Sequence, residues 1–424
     1  MINAYLFLYN LLLFTILLLA FPLAWKKVRP DGKFPGDWKE RLAVYGKERS
    51  LRMKERRNVW IHTVSIGEFL SVVPLVSELK KKENVVVTLV TRTGRSVAES
   101  RFPEIIHLFF PVDLYPVTLK AVREINPKLI VIVETEIWPS LLKVASDKKI
   151  PVLLINGRLS PASFARYRRF RFFMRRFVKL FSAITMRSTQ EAGRIVRLGA
   201  SAGKVEVSGS MKFDLALSMG ASINPGEVKK EHNIPEGRKV VVFGSIHPAE
   251  EEPVVEISRR LLASHPGTVL IIVPRYLDRT QVYGILESRK MGYSRKSRPG
   301  KEAGASILIV DTYGELNKFY SICDVAFVGA SLCPFGGQNP IEPTAFGKPV
   351  LYGKYNWHFL EEWKVIKEGG GGIEVDSFEV LHGEIVRLLD NPSLAEETGK
   401  KGHETLLANT GATKRNLLLL SRFL

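Results

Sequence analysis

Cysteine is almost missing: Cys323 and Cys333 are the only two in 424 residues. Two thiols in this spacing make neither a zinc site nor a disulfide framework, so a reducing compartment is expected. The chain also has no GxxxxGK[ST] loop, no HExxH pair and no Asp-x-Asp pair to hold a divalent ion on nucleotide phosphates. Those absences argue against Walker-type nucleotide hydrolysis, HExxH zinc chemistry and metal-held nucleotide diphosphates. No low-complexity tract argues for extensive disorder, and no internal repeat is visible. Acidic residues are scarce relative to basic ones, 43 against 62, for a formal charge of +19. Such an excess attracts nucleic acid, anionic lipid or a phosphorylated substrate, and charge alone does not choose among them.

Hydrophobic residues make up 45% and charged residues 25%, the composition of a globular protein, and the length suits two or three domains. Ala4 to Trp25 (AYLFLYNLLLFTILLLAFPLAW) carries no charge and is long enough to cross a bilayer. It lacks the basic start and the small-x-small cleavage site of a signal peptide, so residues 1–27 are expected to form a transmembrane anchor. Lys26, Lys27 and Arg29 follow it and place the remainder on the cytoplasmic side.

Beyond the anchor, apolar runs alternate with amphipathic stretches. Strands are expected at Asn58–His62, Val85–Thr91, Leu129–Val133, Val152–Ile155 and Ala183–Arg187. A second series comprises Lys239–Phe243, Val269–Val273, Ser306–Val310, Val325–Val328 and Pro349–Leu351. The alternation implies an α/β chain with two Rossmann-like domains, 28–218 and 219–424, joined near residues 215–226. The last helices are expected to pack back on the first domain. Open parallel sheets bind ligands beyond the C-terminal ends of their strands, so the loops after strands are the candidate sites, expected to face a common cleft. Gly369–Gly372 has no following GxGxxG-type helix and reads as a flexible turn.

The run RKVVVFGSIH leads through Gly244, Ser245 and His247 into Pro248-Ala-Glu-Glu-Glu252, a helix start that offers free backbone N–H groups to a phosphate. The same layout recurs at Val273-Pro274-Arg275, at Asp311-Thr-Tyr313-Gly314-Glu315-Leu316 and in GASLCPFGGQNPIEPTAFGKPVLYG, residues 329–353. In this last loop Gly336 and Gly337 can let backbone approach a ligand closely. Asn339 and Pro340 read as a helix cap with Pro at its first position, placing Ile341 and Glu342 in the first turn. Glu342 complements the helix dipole or grips ribose hydroxyls.

In the first half, Ser65-Ile-Gly-Glu68 has the form of a capping box, yet Glu68 sits at a strand end beside Gly67. Glu134, in IVIVETEIWP, sits at another, and two carboxylates on one rim can divide acid and base roles. Lys212, in GSMKFD, lies near the domain joint. Residues 166–181 (RYRRFRFFMRRFVKLF) place Phe170, Phe173, Met174, Phe177, Leu180 and Phe181 on one helical face, with six arginines and Lys179 elsewhere. That pattern suits an anionic membrane surface or a core helix with a solvated basic face; nucleic acid is not the expected partner.

Taken together and in order, VSIGE, IVETEIWP, GSMKFD, VPR, DTYGEL and GASLxxxGGxNPIEP resemble the Kdo (3-deoxy-D-manno-octulosonic acid) transferases of lipid A and lipopolysaccharide biosynthesis. The resemblance covers nearly all of the chain after residue 30. It implies a GT-B fold and inverting, metal-independent transfer of Kdo from CMP-Kdo to a lipid A precursor, with no cofactor, at the bacterial inner membrane. It makes Glu68 the general base, with Glu134 and Lys212 supporting the transition state. It assigns CMP to Pro274, Arg275, Tyr313, Gly314, Glu315, Asn339, Pro340, Ile341 and Glu342, to which the phosphate-facing turns add Ser245, His247 and Gly337. The family's usual His positions hold Tyr276 and Gln338 here. The motifs taken alone also fit a UDP-sugar transferase, a nucleotide-sugar epimerase or a membrane-bound polyanion-binding protein.

Overall fold

The computed structural model describes residues 2–28, 37–298 and 305–424. The chain divides into two compact units, residues 1–215 with 410–424, and residues 216–409. Among the described residues each holds one seven-stranded sheet, and every strand pairing in both sheets is parallel.

The first sheet contains β1 (Asn58–His62), β2 (Val85–Leu89), β3 (Ile106–Phe109), β4 (Pro127–Val133), β5 (Val152–Gly157), β6 (Ala183–Met186) and β7 (Val205–Val207). Their order is β3-β2-β1-β4-β5-β6-β7, which reverses direction between β1 and β4. Helices cover both faces, so the central strands are continuous apolar runs rather than alternating ones. The side chains still alternate between two cores: Ile130 and Ile132 of β4 enter one, while Leu129, Val131 and Val133 enter the other.

The second sheet holds β8 (Val240–Ile246), β9 (Val269–Pro274), β10 (Ser294–Arg295), β11 (Ile307–Ile309), β12 (Val325–Val328), β13 (Val350–Gly353) and β14 (Gly372–Val375). Its order, β10-β11-β9-β8-β12-β13-β14, reverses between β8 and β12. Val241 and Phe243 pack on one side of β8, Val240 and Val242 on the other. The helix Ala412–Ser421 packs on the first unit. Leu419 and Leu420 are buried there, Asp214 accepts from the Gly411 and Thr413 N–H groups, and the Thr185 hydroxyl donates to Asn416 at 2.7 Å.

Three expectations change. The glycine run is not a free turn: a Cβ on Gly371 would lie 2.2 Å from Gly402 Cα, and one on Gly369 would lie 1.9 Å from Thr405 Oγ1. The run lets the chain press against the helix Pro392–Ala408, and Gly372 opens β14. The basic aromatic stretch is two helices, Pro161–Arg169 and Arg171–Val178, broken at Phe170, where ψ is 29°. Phe170 therefore leaves the apolar face and is exposed, whereas Phe177 and Phe181 are buried. Gly244 lies within β8 rather than in a turn after it, and its missing side chain admits Tyr320, whose hydroxyl would be 2.0 Å from a Cβ there.

The first helix runs from Ile2 to Val28. Its side chains are described from Asn3 to Leu19, so the end of the expected span Ala4–Trp25, with Lys26 and Lys27, lies outside the described side chains, and Arg29 outside the described residues. No helix among the described residues is long and apolar enough to cross a membrane. One side of this helix docks on the first unit. Leu6 is buried, Tyr5 and Tyr9 pack against Phe173, and Asn10 donates to Ser140 Oγ while accepting from the Tyr115 N–H at 2.7 Å. The other side leaves Phe7, Leu8, Leu12, Phe14, Leu18 and Leu19 each more than half exposed.

Candidate active site

In the first unit the candidate residues follow the strands nearest the reversal. β1 runs into the helix Ile66–Ser71, where Ser65 Oγ accepts from the Glu68 N–H at 3.3 Å. The Glu68 carboxylate turns back to the Val64 N–H at 2.6 Å, so the cap expected from the sequence forms one residue out of register. Burial pushes the Glu68 carboxyl up to about 7, opposed by the Val64 N–H and reinforced by the negative charges of Glu134 and Glu136.

Glu134 follows β4 with φ of 61°, and its carboxylate pairs with the Arg187 guanidinium at the end of β6. Arg187 Nε also donates to Asn156 Oδ1 at 3.2 Å, and the same oxygen accepts from the Met211 N–H at 3.1 Å. That chain links Glu134 to the start of the helix Met211–Ala221, which carries the partly buried Lys212. Glu136, which the sequence reading passed over, is a third carboxylate here: burial first and Glu134 second push it up to about 7. Three acids therefore stand at one rim, and the Arg187 guanidinium pairs with Glu134.

In the second unit a bulge at the end of β8 places Ser245 at φ of 55°. His247 then caps the helix Pro248–Ser264 and stacks on Phe335, with ring centroids 3.3 Å apart, while Tyr276 meets the same imidazole edge-on. Glu250, expected only as a first-turn acid, is fully buried. Its oxygens accept from the N–H groups of His247, Ala330, Ser331 and Leu332 at 2.6–3.2 Å. Burial raises its pKa and those four donors pull it down. One carboxylate therefore ties the loop after β12 to the turn after β8.

The remaining candidates line the same strand ends. Pro274 closes β9, and the exposed Arg275 guanidinium makes no hydrogen bond or ion pair among the described residues. Tyr313 is 72% exposed, and Gly314 has φ of 83°. The Tyr313, Gly314 and Glu315 N–H groups have no acceptor among the described residues. The Glu315 carboxylate is committed to Thr312, Lys296 and Lys318, which outweigh its burial and lower its pKa. Asn339 Oδ1 accepts from the Ile341 N–H at 3.2 Å, and its amide donates to Glu342 at 3.1 Å. The helix itself begins at Ile341, one residue later than expected, with Pro340 as its cap. Burial raises the Glu342 pKa, while Asn339 and the Arg275 charge lower it.

The glycine pair of this loop serves the protein's own chain. Gly336 and Gly337 both have positive φ, and a Cβ on Gly336 would lie 2.5 Å from His358 and 2.7 Å from Trp357. The close approach expected of a ligand is made by the segment 355–358. A further signal was invisible in sequence. Glu134, Asn156, Ser245 and Ala330 are non-glycine residues in the left-handed region, and all four stand at or just beyond the C-terminal end of a strand. Such backbone costs of order 1 kcal/mol or more per residue and gathers at functional sites.

Two all-parallel sheets, each with its candidate loops beyond the strand ends, define an α/β protein of the two-Rossmann class. The structure of UDP-GlcNAc 2-epimerase from Neisseria meningitidis shares this fold, with a TM-score of 0.62 and 14% identity over 86% of this chain and 100% of that one. The profile of the family described as 3-Deoxy-D-manno-octulosonic-acid transferase (kdotransferase) matches residues 36–215. The 3-deoxy-D-manno-octulosonic acid transferase of Haemophilus influenzae is 30% identical over 91% of this chain and 92% of its own length. That of Bordetella pertussis is 28% identical over 86% and 87%. The chain belongs to the 3-deoxy-D-manno-octulosonic acid transferase family, and it is a glycosyltransferase.

Proposed function

We propose that the protein transfers Kdo from CMP-Kdo to a lipid A precursor, lipid IVA, with inversion and without a metal ion. The observation that carries this reading is the Glu68 carboxyl, held by Val64 at a strand end with a pKa of about 7. A base of that strength is half available at neutral pH and strong enough to take a proton from an acceptor hydroxyl as the oxygen attacks. In that step the acceptor oxygen bonds to the anomeric carbon, the bond from that carbon to the CMP phosphate breaks, and the hydroxyl proton passes to Glu68. Lys212 and the Glu134–Arg187 pair set the charge around Glu68 as the transition state forms.

The second unit takes the nucleotide. The N–H groups of Tyr313, Gly314 and Glu315, which have no acceptor among the described residues, and the exposed Arg275 guanidinium suit the leaving phosphate. The exposed Tyr313 ring suits the base, and Glu342 with Asn339 suits the ribose hydroxyls. Ser245, His247, Gly337, Pro340 and Ile341 shape the loops around it.

The first helix anchors the protein, with both units on the cytoplasmic side of a bacterial inner membrane. Its exposed apolar side, together with Phe170 and Phe172 among the arginines of residues 166–176, supports contact with an anionic bilayer. The test is purified protein with lipid IVA and either CMP-Kdo or a panel of UDP-sugars. Mass spectrometry should show Kdo-lipid and CMP from CMP-Kdo alone; transfer from a UDP-sugar, or unchanged lipid, contradicts the proposal.

A further inference from the structure

Away from the strand ends, the first unit carries a groove of about 400 Å³ between the helices Arg171–Val178 and Thr189–Leu198. Arg171, Arg175, Lys179, Arg197, Gly199 and Ser201 line it, and no acidic residue does. Arg171, Arg175 and Lys179 are spaced four apart, so they form one row on one side of the helix and its C-cap, while Phe173 and Phe177 face the core and the first helix. Like charges at this spacing cost roughly a few tenths of a kcal/mol per pair. None of these four cations pairs with a carboxylate among the described residues, whereas Lys143 on a neighbouring helix has its own partner four residues on, Asp147.

The row is seated as well as charged. Gly199 has φ of 121°, and a Cβ there would lie 2.4 Å from Arg175 Cγ, so the glycine lets the Arg175 stem cross the end of the helix Thr189–Leu198. Arg197 is held over the Phe164 ring at 5.0 Å with Nε donating to the Gly193 carbonyl. The negative end of the helix dipole at Gly199 amounts to about half a charge, against four full positive charges.

We infer that this groove binds a lipid-borne phosphate ester, its guanidinium and ammonium groups gripping the phosphate oxygens and the remaining volume holding a head group of sugar or glycerol size. A bare phosphate would leave most of the groove empty. On the next face of the same helix Arg176 lies over the Tyr5 ring of the first helix at 4.1 Å, so the helix that carries the row also packs against the first helix. The lipid source rests on the membrane reading proposed above; the phosphate chemistry does not.

The test is calorimetric titration of the full chain in non-ionic detergent with dihexanoyl phosphatidylglycerol, dihexanoyl phosphatidylcholine and inorganic phosphate. The anionic lipid should bind, phosphatidylcholine should bind at least tenfold more weakly, and inorganic phosphate should compete only at higher concentration. Arg171→Gln with Lys179→Gln should weaken the anionic lipid at least tenfold with thermal unfolding unchanged, while Arg171→Lys with Lys179→Arg retains it. Equal binding of the two lipids, or undiminished binding by the Gln variant, overturns the site; phosphate binding as tightly as the anionic lipid overturns its lipid source. Transfer from CMP-Kdo by the same preparation is measured separately, so a chain that binds the anionic lipid but transfers nothing contradicts the proposed reaction and leaves the groove standing.

Discussion

Glu68 Oε2 lies 2.6 Å from the backbone nitrogen of Val64 and accepts its hydrogen, so one carboxylate both closes a helix start and stands at a strand end with a raised pKa. The capping and catalytic accounts of this residue are compatible, and they separate on substitution. A Gln in its place keeps an oxygen for the Val64 N–H and loses the base.

The pH dependence has a defined sign. Glu68 acts as a base only when ionised, so kcat/KM should rise through pH 7 as its carboxyl, held at about 7, deprotonates. Stability should move the other way. Glu68, Glu136 and Asp113 each have folded values of about 7, raised first by burial, against roughly 4 in the unfolded chain. Their contribution is fully present below pH 4 and is lost as pH rises through 7, where the unfolded chain gives up its protons more readily. Denaturant midpoints measured from pH 5 to 8 check this, with Glu136→Gln expected to flatten the slope.

Arg187 compensates Glu134, which in turn acts on Glu68. Arg187→Met should move the rising limb of kcat/KM up by about one pH unit, costing roughly tenfold at pH 6 with less loss at pH 8. Arg187→Lys should restore part of it. An equal loss at every pH would mean that Arg187 only holds the fold.

Glu250 is the carboxylate to which four backbone N–H groups donate. Glu250→Ala should destabilise the protein by about 2–4 kcal/mol, because buried donors are left without acceptors. CMP binding, followed by thermal shift, should weaken with it, since both turns it joins belong to the loops proposed to hold the nucleotide.

Gly244→Ala sets a methyl group against Tyr320. Overpacking at this bulge should cost about 1–3 kcal/mol in urea unfolding. Pairing it with Tyr320→Phe should recover much of that loss.

The two sheets were readable because their central strands are Val- and Ile-rich runs buried on both faces. The strands that escaped are marginal by the same criterion: β7 is largely exposed, β10 has two residues, β14 begins with a glycine, and β3 carries His107. The strand-end rule placed Glu68 and Glu134 just beyond strands, and the structure has them there. It passed over Glu136, two residues further on, whose importance depends on burial that no spacing reveals. Arg187 reaches Glu134, and Asn156 holds Arg187, only because β5 and then β6 follow β4 in the sheet. Glu250 looked like any first-turn acid, since the four N–H groups that engage it come from a cap and from a loop about 80 residues away. Phe170 was misplaced because helical periodicity continues across a break that only its backbone angles disclose.

The most direct test of the central claim is single-turnover transfer of Kdo to lipid IVA by wild-type and Glu68→Gln proteins at pH 8, with CMP affinity measured on the same preparations. The account predicts a fall of at least about 100-fold in the transfer rate, with CMP affinity and melting temperature close to wild type. Transfer within a few-fold of wild type, or loss explained by an unfolded variant, would contradict Glu68 as the base.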